Sequence, residues 1–138
     1  MSRRDLPTYV ERGGELVARH PSRALDVRLY GFPVVADVER LDELCRRTFN
    51  EPSGFDENWR ALGPSVLLTF VDIPTLESTD RLDRRLGSLH EQEAAIWVPV
   101  EDVNRARSGW TIPYMFVDSH MPMVSGRETY GFAKQLGG

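Results

Sequence analysis

The chain has 138 residues, a mass of 15.7 kDa and 41% hydrophobic residues, which suits one compact domain with its own apolar core. Its net charge of -4 and pI near 5.4 argue against the basic surface that nucleic acid requires. No apolar run approaches the roughly 20 residues that span a bilayer, and a single cysteine, Cys45, excludes an internal disulfide framework. We therefore expect one cytoplasmic domain over residues 1–138 that binds neither nucleic acid nor membrane.

The N-terminal part of the chain predicts a strand followed by a helix. Residues 6–19 contain a glycine pair and predict at most a short, broken helix. Residues 26–37 are aromatic and β-branched, which predicts a strand, and Pro33 within them favours an edge position or a bulge. Asp37 can then cap an amphipathic helix that reaches about Phe49.

The middle of the chain predicts a loop, a central strand and an irregular connection. Residues 50–64 are rich in Gly, Pro, Asp and Asn and predict a loop. Residues 65–73 are nearly all apolar, which predicts a central strand covered on both faces and stopped by Pro74. Residues 75–89 are polar and charged, and they predict a lid-like excursion or a short helix.

The C-terminal part predicts two further strands and a turn. Residues 91–103 alternate in character, and the strand that they predict has an apolar face formed by Ile96, Val98 and Val100. Residues 111–118 predict another strand, and residues 119–122 a turn. Strands outnumber helices and the connections are short, so we expect an α+β domain with a mostly antiparallel, curved sheet.

Lysine is unusually rare in the chain. Lys134 is the only lysine among sixteen arginines, and an amine, unlike a guanidinium, can lose its proton near neutral pH and attack a carbonyl. The apolar neighbours Phe132, Ala133 and Leu136 would desolvate this amine and so favour its nucleophilic form. The alternative is that codon bias explains the composition and that Lys134 is a solvated group near the C-terminus.

The surroundings of Lys134 resemble a known motif. The segment Gly126-Arg127-Glu128, followed by an aromatic residue and Lys134, resembles the segment that carries the Schiff-base lysine in the acetoacetate decarboxylase family. The spacing from the glycine to the first lysine matches without a gap, so the resemblance places Lys134 on the imine-forming position. Ala133 stands where the family usually has proline, and Gln135 where a second lysine is common. Activation by a neighbouring cation is known for this family, and here burial would have to replace it.

The resemblance also implies roles for residues elsewhere. Glu93 lies six residues before Pro99 and resembles a family glutamate that reaches the active-site cavity, which makes it a second catalytic candidate beside Lys134. Arg127 matches the motif and would contact substrate or fix the local loop. Arg28 lies beside the position of a family arginine and is a further candidate for substrate binding. A second acidic position of the family falls near Thr69, so we expect that carboxylate to be absent.

The implied fold is a closed, cone-like barrel with the lysine in its cavity, or a part of such a barrel. The implied activity is that of a lyase that releases carbon dioxide from a 3-oxo acid, without a metal or an organic cofactor. The alternatives are a Schiff-base aldolase or dehydratase acting on oxo acids, and a truncated binding module without catalysis. Family domains continue beyond the lysine, so we expect a domain that is incomplete at its C-terminus and forms a homo-oligomer to cover exposed sheet edges.

Overall fold

The computed structural model describes residues 18–137, and within them one sheet and two helices form the fold. The short helix predicted over residues 6–19 lies almost wholly outside the described residues. The helices are α1 (Val38–Cys45) and α2 (His120–Tyr130). The strands are β1 (Ser22–Leu25), β2 (Arg28–Val35), β3 (Trp59–Ala61), β4 (Ser65–Ser78), β5 (Ser88–Asp102), β6 (Arg107–Val117) and β7 (Lys134–Leu136).

Two long strands, β4 and β5, form the centre of the sheet. The strand order is β1-β4-β5-β6-β7, with β2 also paired to β4 and β3 also paired to β5. Every pair is antiparallel except β6 with β7, which are parallel. The α+β class with a mostly antiparallel sheet is therefore confirmed.

Strand β2 and helix α1 agree with the strand and helix that the sequence predicts. Within the described residues β2 pairs with β4 alone, so Pro33 lies on an edge strand, where a missing N–H group costs little. The Asp37 carboxylate caps α1 and accepts hydrogen bonds from the backbone N–H groups of Glu39, at 2.9 Å, and Arg40, at 3.2 Å. The helix continues beyond Cys45 as a single wider turn with π-type hydrogen bonding over Arg46–Asn50.

Three predictions about the later elements were wrong in part. Strand β4 runs through Pro74 to Ser78, because a register shift between Ile73 and Leu76 accommodates the proline. This strand is also not covered on both faces, since Phe70 is 46% exposed. Residues 75–89 therefore continue the strand before a turn and a short 3₁₀ segment, Arg84–Leu86. The predicted loop over residues 50–64 contains the short strand β3.

The turn predicted over residues 119–122 is instead the start of α2. Pro122 occupies the first turn of this helix, where its missing N–H group has no intrahelical acceptor to lose. The segment that begins at Ser119 therefore starts a helix and does not form an isolated turn. Neither described helix is long and apolar enough to cross a membrane.

The two faces of the sheet carry different side chains. On one face Cys45 of α1 packs with Val66, Val98 and Val100 in a buried apolar cluster, and Ile96 packs against it. This confirms the predicted apolar face of β5. The other face, which we call the lysine face, carries a row of buried residues across four neighbouring strands, Thr69, Ala95, Met115 and Lys134.

The cap of α1 gives a direct test of the local fold. Replacing Asp37 by alanine leaves two N–H groups of the first turn without their acceptor, and we expect the free energy of unfolding to fall by about 1 kcal/mol. Asp37→Asn retains a capping oxygen, so its free energy of unfolding should fall by much less. Urea unfolding of the two variants measures both values, and equal losses would contradict the assigned cap.

Candidate active site

Lys134 opens the last strand of the sheet and is buried, with 7% of its surface exposed. It pairs with Met115 on β6, and Met115 pairs in turn with Ala95 on β5. Paired residues of neighbouring strands project to the same face, so the Lys134 side chain lies on the lysine face. The alternative of a solvated lysine near the C-terminus is therefore wrong for this structure.

The connection between α2 and β7 fixes the position of Lys134. Gly131 ends the helix in the left-handed region, at φ 71°, and the next N–H group, of Phe132, bonds back to the Gly126 carbonyl at 3.1 Å. The Arg127 guanidinium donates to the backbone carbonyl of Lys134 at 3.0 Å. Arg127 itself is exposed. In the described geometry it holds the strand that carries the lysine.

Gly126 provides the space that the lysine side chain occupies. A Cβ atom at this position would lie 2.5 Å from Lys134 Cδ and 2.7 Å from Lys134 Cε. Both distances are far below ordinary carbon contact distances of about 3.5–4.0 Å. The glycine at the start of the motif is therefore needed for close packing of α2 on the lysine stem.

Two glutamates of β5 meet the Lys134 amine. The amine donates a hydrogen bond to Glu91 Oε1, and Glu93 Oε2 lies 3.4 Å from Nζ. Both carboxylates reach the same point because residues two apart on a strand share a face. Glu93 was a candidate from the sequence, whereas Glu91 was missed, although its spacing from Glu93 could have indicated it.

The two carboxyl groups differ in their electrostatics. Burial raises the pKa of Glu93 above its ordinary value, and this effect exceeds the opposing influence of the Lys134 charge. The negative charge of Glu91 raises the Glu93 pKa further. Glu91 is itself 3% exposed and carries the hydrogen bond from the amine. The site therefore places an ion-pairing carboxylate and a carboxyl group with a raised pKa beside one amine.

A cavity of about 220 Å³ adjoins the amine. Lys134, Glu91 and Gly126 border it, together with Pro122 of α2. Its other bordering residues include the polar pair His20 and Tyr130. Glu93 does not border this cavity but a separate pocket of about 370 Å³. Of the two glutamates that meet the amine, Glu91 is therefore the one that borders the cavity.

The structure also places two further residues that the sequence analysis discussed, Arg28 and Thr69. Arg28 pairs with Asp72 in the sheet register and its guanidinium lies 3.7 Å from the Asp72 carboxylate, on the face opposite to Lys134. Its role in substrate binding stays a prediction. Thr69 is buried on the lysine face, near the position where the resemblance implied a second carboxylate and we expected none. Its hydroxyl accepts a hydrogen bond from Trp97 Nε1 at 3.0 Å.

The contact between Gly126 and the lysine stem predicts a specific effect of an added methyl group. We expect Gly126→Ala to lower the free energy of unfolding by about 1–3 kcal/mol and to move Nζ away from Glu91. The displaced amine should be acylated faster, which intact mass and peptide mapping measure at a single lysine. Gly109→Ala is the matched control, because a methyl group there meets nothing within 4 Å. Indistinguishable behaviour of the two variants would contradict the proposed packing.

The raised pKa of Glu93 predicts a pH-dependent difference in stability. The contribution of this group is fully present below its unfolded pKa and is lost as pH rises through its higher folded pKa. Glu93→Gln cannot titrate, so its free energy of unfolding should improve relative to the unsubstituted protein as pH rises through that interval. Urea unfolding at a series of pH values measures the difference. Glu128→Gln, at an exposed position, is the control, and a difference that falls with pH would contradict the assignment.

Comparison with known proteins gives an independent result for the chain. The model of the acetoacetate decarboxylase (ADC) family matches residues 56–138, which is more than half of the chain. No curated protein matches in sequence.

A crystal structure of acetoacetate decarboxylase from Legionella pneumophila has a similar fold, with 20% identity and a TM-score of 0.64. The match covers 96% of this chain and 43% of that one, so the chain spans less than half the length of that structure. The likeness extends to the fold alone, and the family match includes the strand with Glu91 and Glu93 and the segment with Lys134. The chain belongs to the acetoacetate decarboxylase family.

Proposed function

We propose that the chain is an acetoacetate decarboxylase-like lyase in which Lys134 forms a Schiff base with a 3-oxo acid. The observation that carries this proposal is the buried lysine itself, which borders a cavity and contacts two carboxyl groups. A lysine whose only purpose is solubility does not occupy such a position, because burial of a charged group costs free energy unless a partner compensates it.

The first step requires the neutral amine of Lys134. Glu91 accepts a hydrogen bond from Nζ and is the base within reach of the proton that the amine must lose. The free amine then attacks the ketone carbon, Glu91 passes the proton that it took from the amine to the carbonyl oxygen, and the attacking nitrogen loses its second proton to water. The product is a carbinolamine attached to Lys134.

Loss of water from this intermediate requires an acid close to the nitrogen. Glu93 lies 3.4 Å from Nζ, and burial favours its protonated form. It donates its proton to the departing hydroxyl, directly or through one water molecule. The C–O bond breaks, water leaves and a protonated imine remains, with the carboxylate of Glu91 as its counter-ion.

The protonated imine accepts electrons from the bond to the substrate carboxylate. When that C–C bond breaks, carbon dioxide leaves and its bonding pair forms an enamine. Protonation of the enamine carbon and hydrolysis of the imine then release a ketone and restore the amine. The steps up to the loss of carbon dioxide use side chains that border the cavity or the amine, and Arg127 contributes by holding the backbone of Lys134.

A second outcome of the same imine is aldol cleavage or dehydration of an oxo acid. Two observations favour it as the alternative, because Gln135 replaces the second lysine of the motif and Thr69 occupies the position of a second carboxylate. The imine step is common to both activities. Analysis of the products separates them.

Homo-oligomer formation and a cytoplasmic location remain predictions from the sequence. Several large apolar side chains are exposed on β2 and its surroundings, which supports self-association, among them Leu29, Tyr30, Phe32 and Phe70. Sedimentation of the purified chain measures its mass in solution. A mass of 15.7 kDa across a wide concentration range would contradict the oligomer.

The proposed activity is tested with acetoacetate as substrate. We expect release of acetone and carbon dioxide in equal amounts, together with a borohydride-reduced adduct on Lys134. Lys134→Arg retains the charge but has no nucleophilic amine, so both signals should fall to the uncatalysed level. Glu91→Gln should lower kcat by about 10²–10⁴-fold because it removes the base beside the amine.

The same experiment with pyruvate identifies the alternative. An adduct with pyruvate and none with acetoacetate would favour aldolase or dehydratase chemistry. Absence of an adduct with either compound in a folded sample would contradict imine formation and favour a binding module. Folding is checked by the cooperative urea transition of each sample.

A further inference from the structure

A hydroxyl–imidazole pair borders the same cavity as Lys134. The Tyr130 hydroxyl lies 3.1 Å from His20 Nδ1, and the two rings meet edge to face with centroids 5.1 Å apart. The Ser22 hydroxyl lies 3.2 Å from the same nitrogen. All three residues border the cavity and are exposed, so the pair lies where the cavity meets solvent.

The proposed reaction leaves one proton transfer without a donor. Decarboxylation produces an enamine, and its carbon must receive a proton before the imine can be hydrolysed. Glu91 is engaged with the nitrogen, and Glu93 borders a different pocket. Glu77 and Asp83 also border the cavity, but their carboxylates pair with Arg23 and Arg19. A further acid that borders the cavity is therefore needed.

We propose that Tyr130 is the catalytic acid that protonates the enamine carbon, with His20 as the residue that positions and reprotonates it. This inference rests on the proposed imine chemistry of Lys134. Two facts carry it: the hydrogen-bonded contact between the hydroxyl and the imidazole, and the shared border with the lysine cavity. An imidazole is the side chain that most readily exchanges a proton with water at neutral pH.

The step balances as a short relay. The enamine π electrons form a new C–H bond with the Tyr130 hydroxyl proton, while the proton on His20 Nδ1 moves to the phenolic oxygen. The products are the protonated imine on Lys134, an intact tyrosine and a neutral imidazole, which regains its proton from solvent. In the reverse direction neutral His20 receives the tyrosine proton while the phenolic oxygen removes a proton from the carbon beside the imine.

Hydrogen exchange of acetone in heavy water isolates this step. Acetone forms the same imine and enamine without decarboxylation, so each cycle replaces a methyl proton by deuterium, which NMR follows. We expect Tyr130→Phe and His20→Gln to lower the exchange rate by about 10²-fold or more, the usual contribution of a general acid or base. Borohydride trapping of acetone on Lys134 should persist in both variants, because the amine and its carboxylates are unchanged.

The chain offers matched controls on the opposite side of the sheet. Tyr114 is 49% exposed and His90 pairs with Asp72, and neither borders the lysine cavity. Tyr114→Phe and His90→Gln should exchange acetone protons at the rate of the unsubstituted protein. They thereby separate a specific relay from a general effect of losing an exposed ring.

The outcomes are distinguishable. Exchange within about twofold of the unsubstituted rate in Tyr130→Phe would overturn the inference, since a general acid contributes far more than that. Loss of the trapped adduct together with exchange would also overturn it, because the pair would then shape the cavity rather than transfer a proton. Absence of trapping in the unsubstituted protein would instead contradict the proposed function itself.

Discussion

The contact between the Lys134 amine and the Glu91 carboxylate is the interaction on which the site depends. Both groups are buried, at 7% and 3% exposure, and an isolated charge at either position would be strongly unfavourable. Removal of one partner of a buried pair typically costs about 3–5 kcal/mol, because the other charge is left uncompensated. Such a pair is weak evidence for stability by itself, and its presence agrees with the proposed imine chemistry. Glu93, 3.4 Å from the amine, makes the site more than a simple ion pair.

The fold assembles this contact from elements that are distant in sequence. Strand β5 presents Glu91 and Glu93 on the lysine face, and the parallel pairing of β7 with β6 brings Lys134 to the same face. Helix α2 then closes over the lysine stem, which only a glycine at position 126 permits. The hydrogen bond from Arg127 to the Lys134 carbonyl fixes the short last strand. These contacts together set the position, the burial and the electrostatic surroundings of the amine. A single methyl group added at position 126 would disturb them.

The sequence predicted the parts of the structure that depend on local pattern. The cap at Asp37 and the apolar alternation of β5 were confirmed because capping and period-two alternation act over a few residues. The stop at Pro74 and the turn before α2 were wrong, because a bulge and a helix start both tolerate proline.

The site was predictable only in part. Lys134 was identified from its rarity and its motif, and Glu93 from the resemblance to a family. Glu91 was missed, although alternation along a strand places it on the same face as Glu93, two residues away. The contact between His20 and Tyr130 joins residues 110 positions apart, and no local pattern indicates such a pair. Long-range contacts of this kind follow from the topology of the sheet and require the structure.

Nitrogen NMR of the single lysine side chain tests the central claim most directly. Incorporation of ¹⁵N-lysine labels one Nζ atom in the whole chain, because Lys134 is the only lysine. The account predicts an amine signal protected from solvent exchange, altered by Glu91→Gln, and converted by acetone into the signal of a protonated imine. A signal that exchanges as freely as a solvated lysine, ignores Glu91→Gln and does not respond to acetone would contradict it.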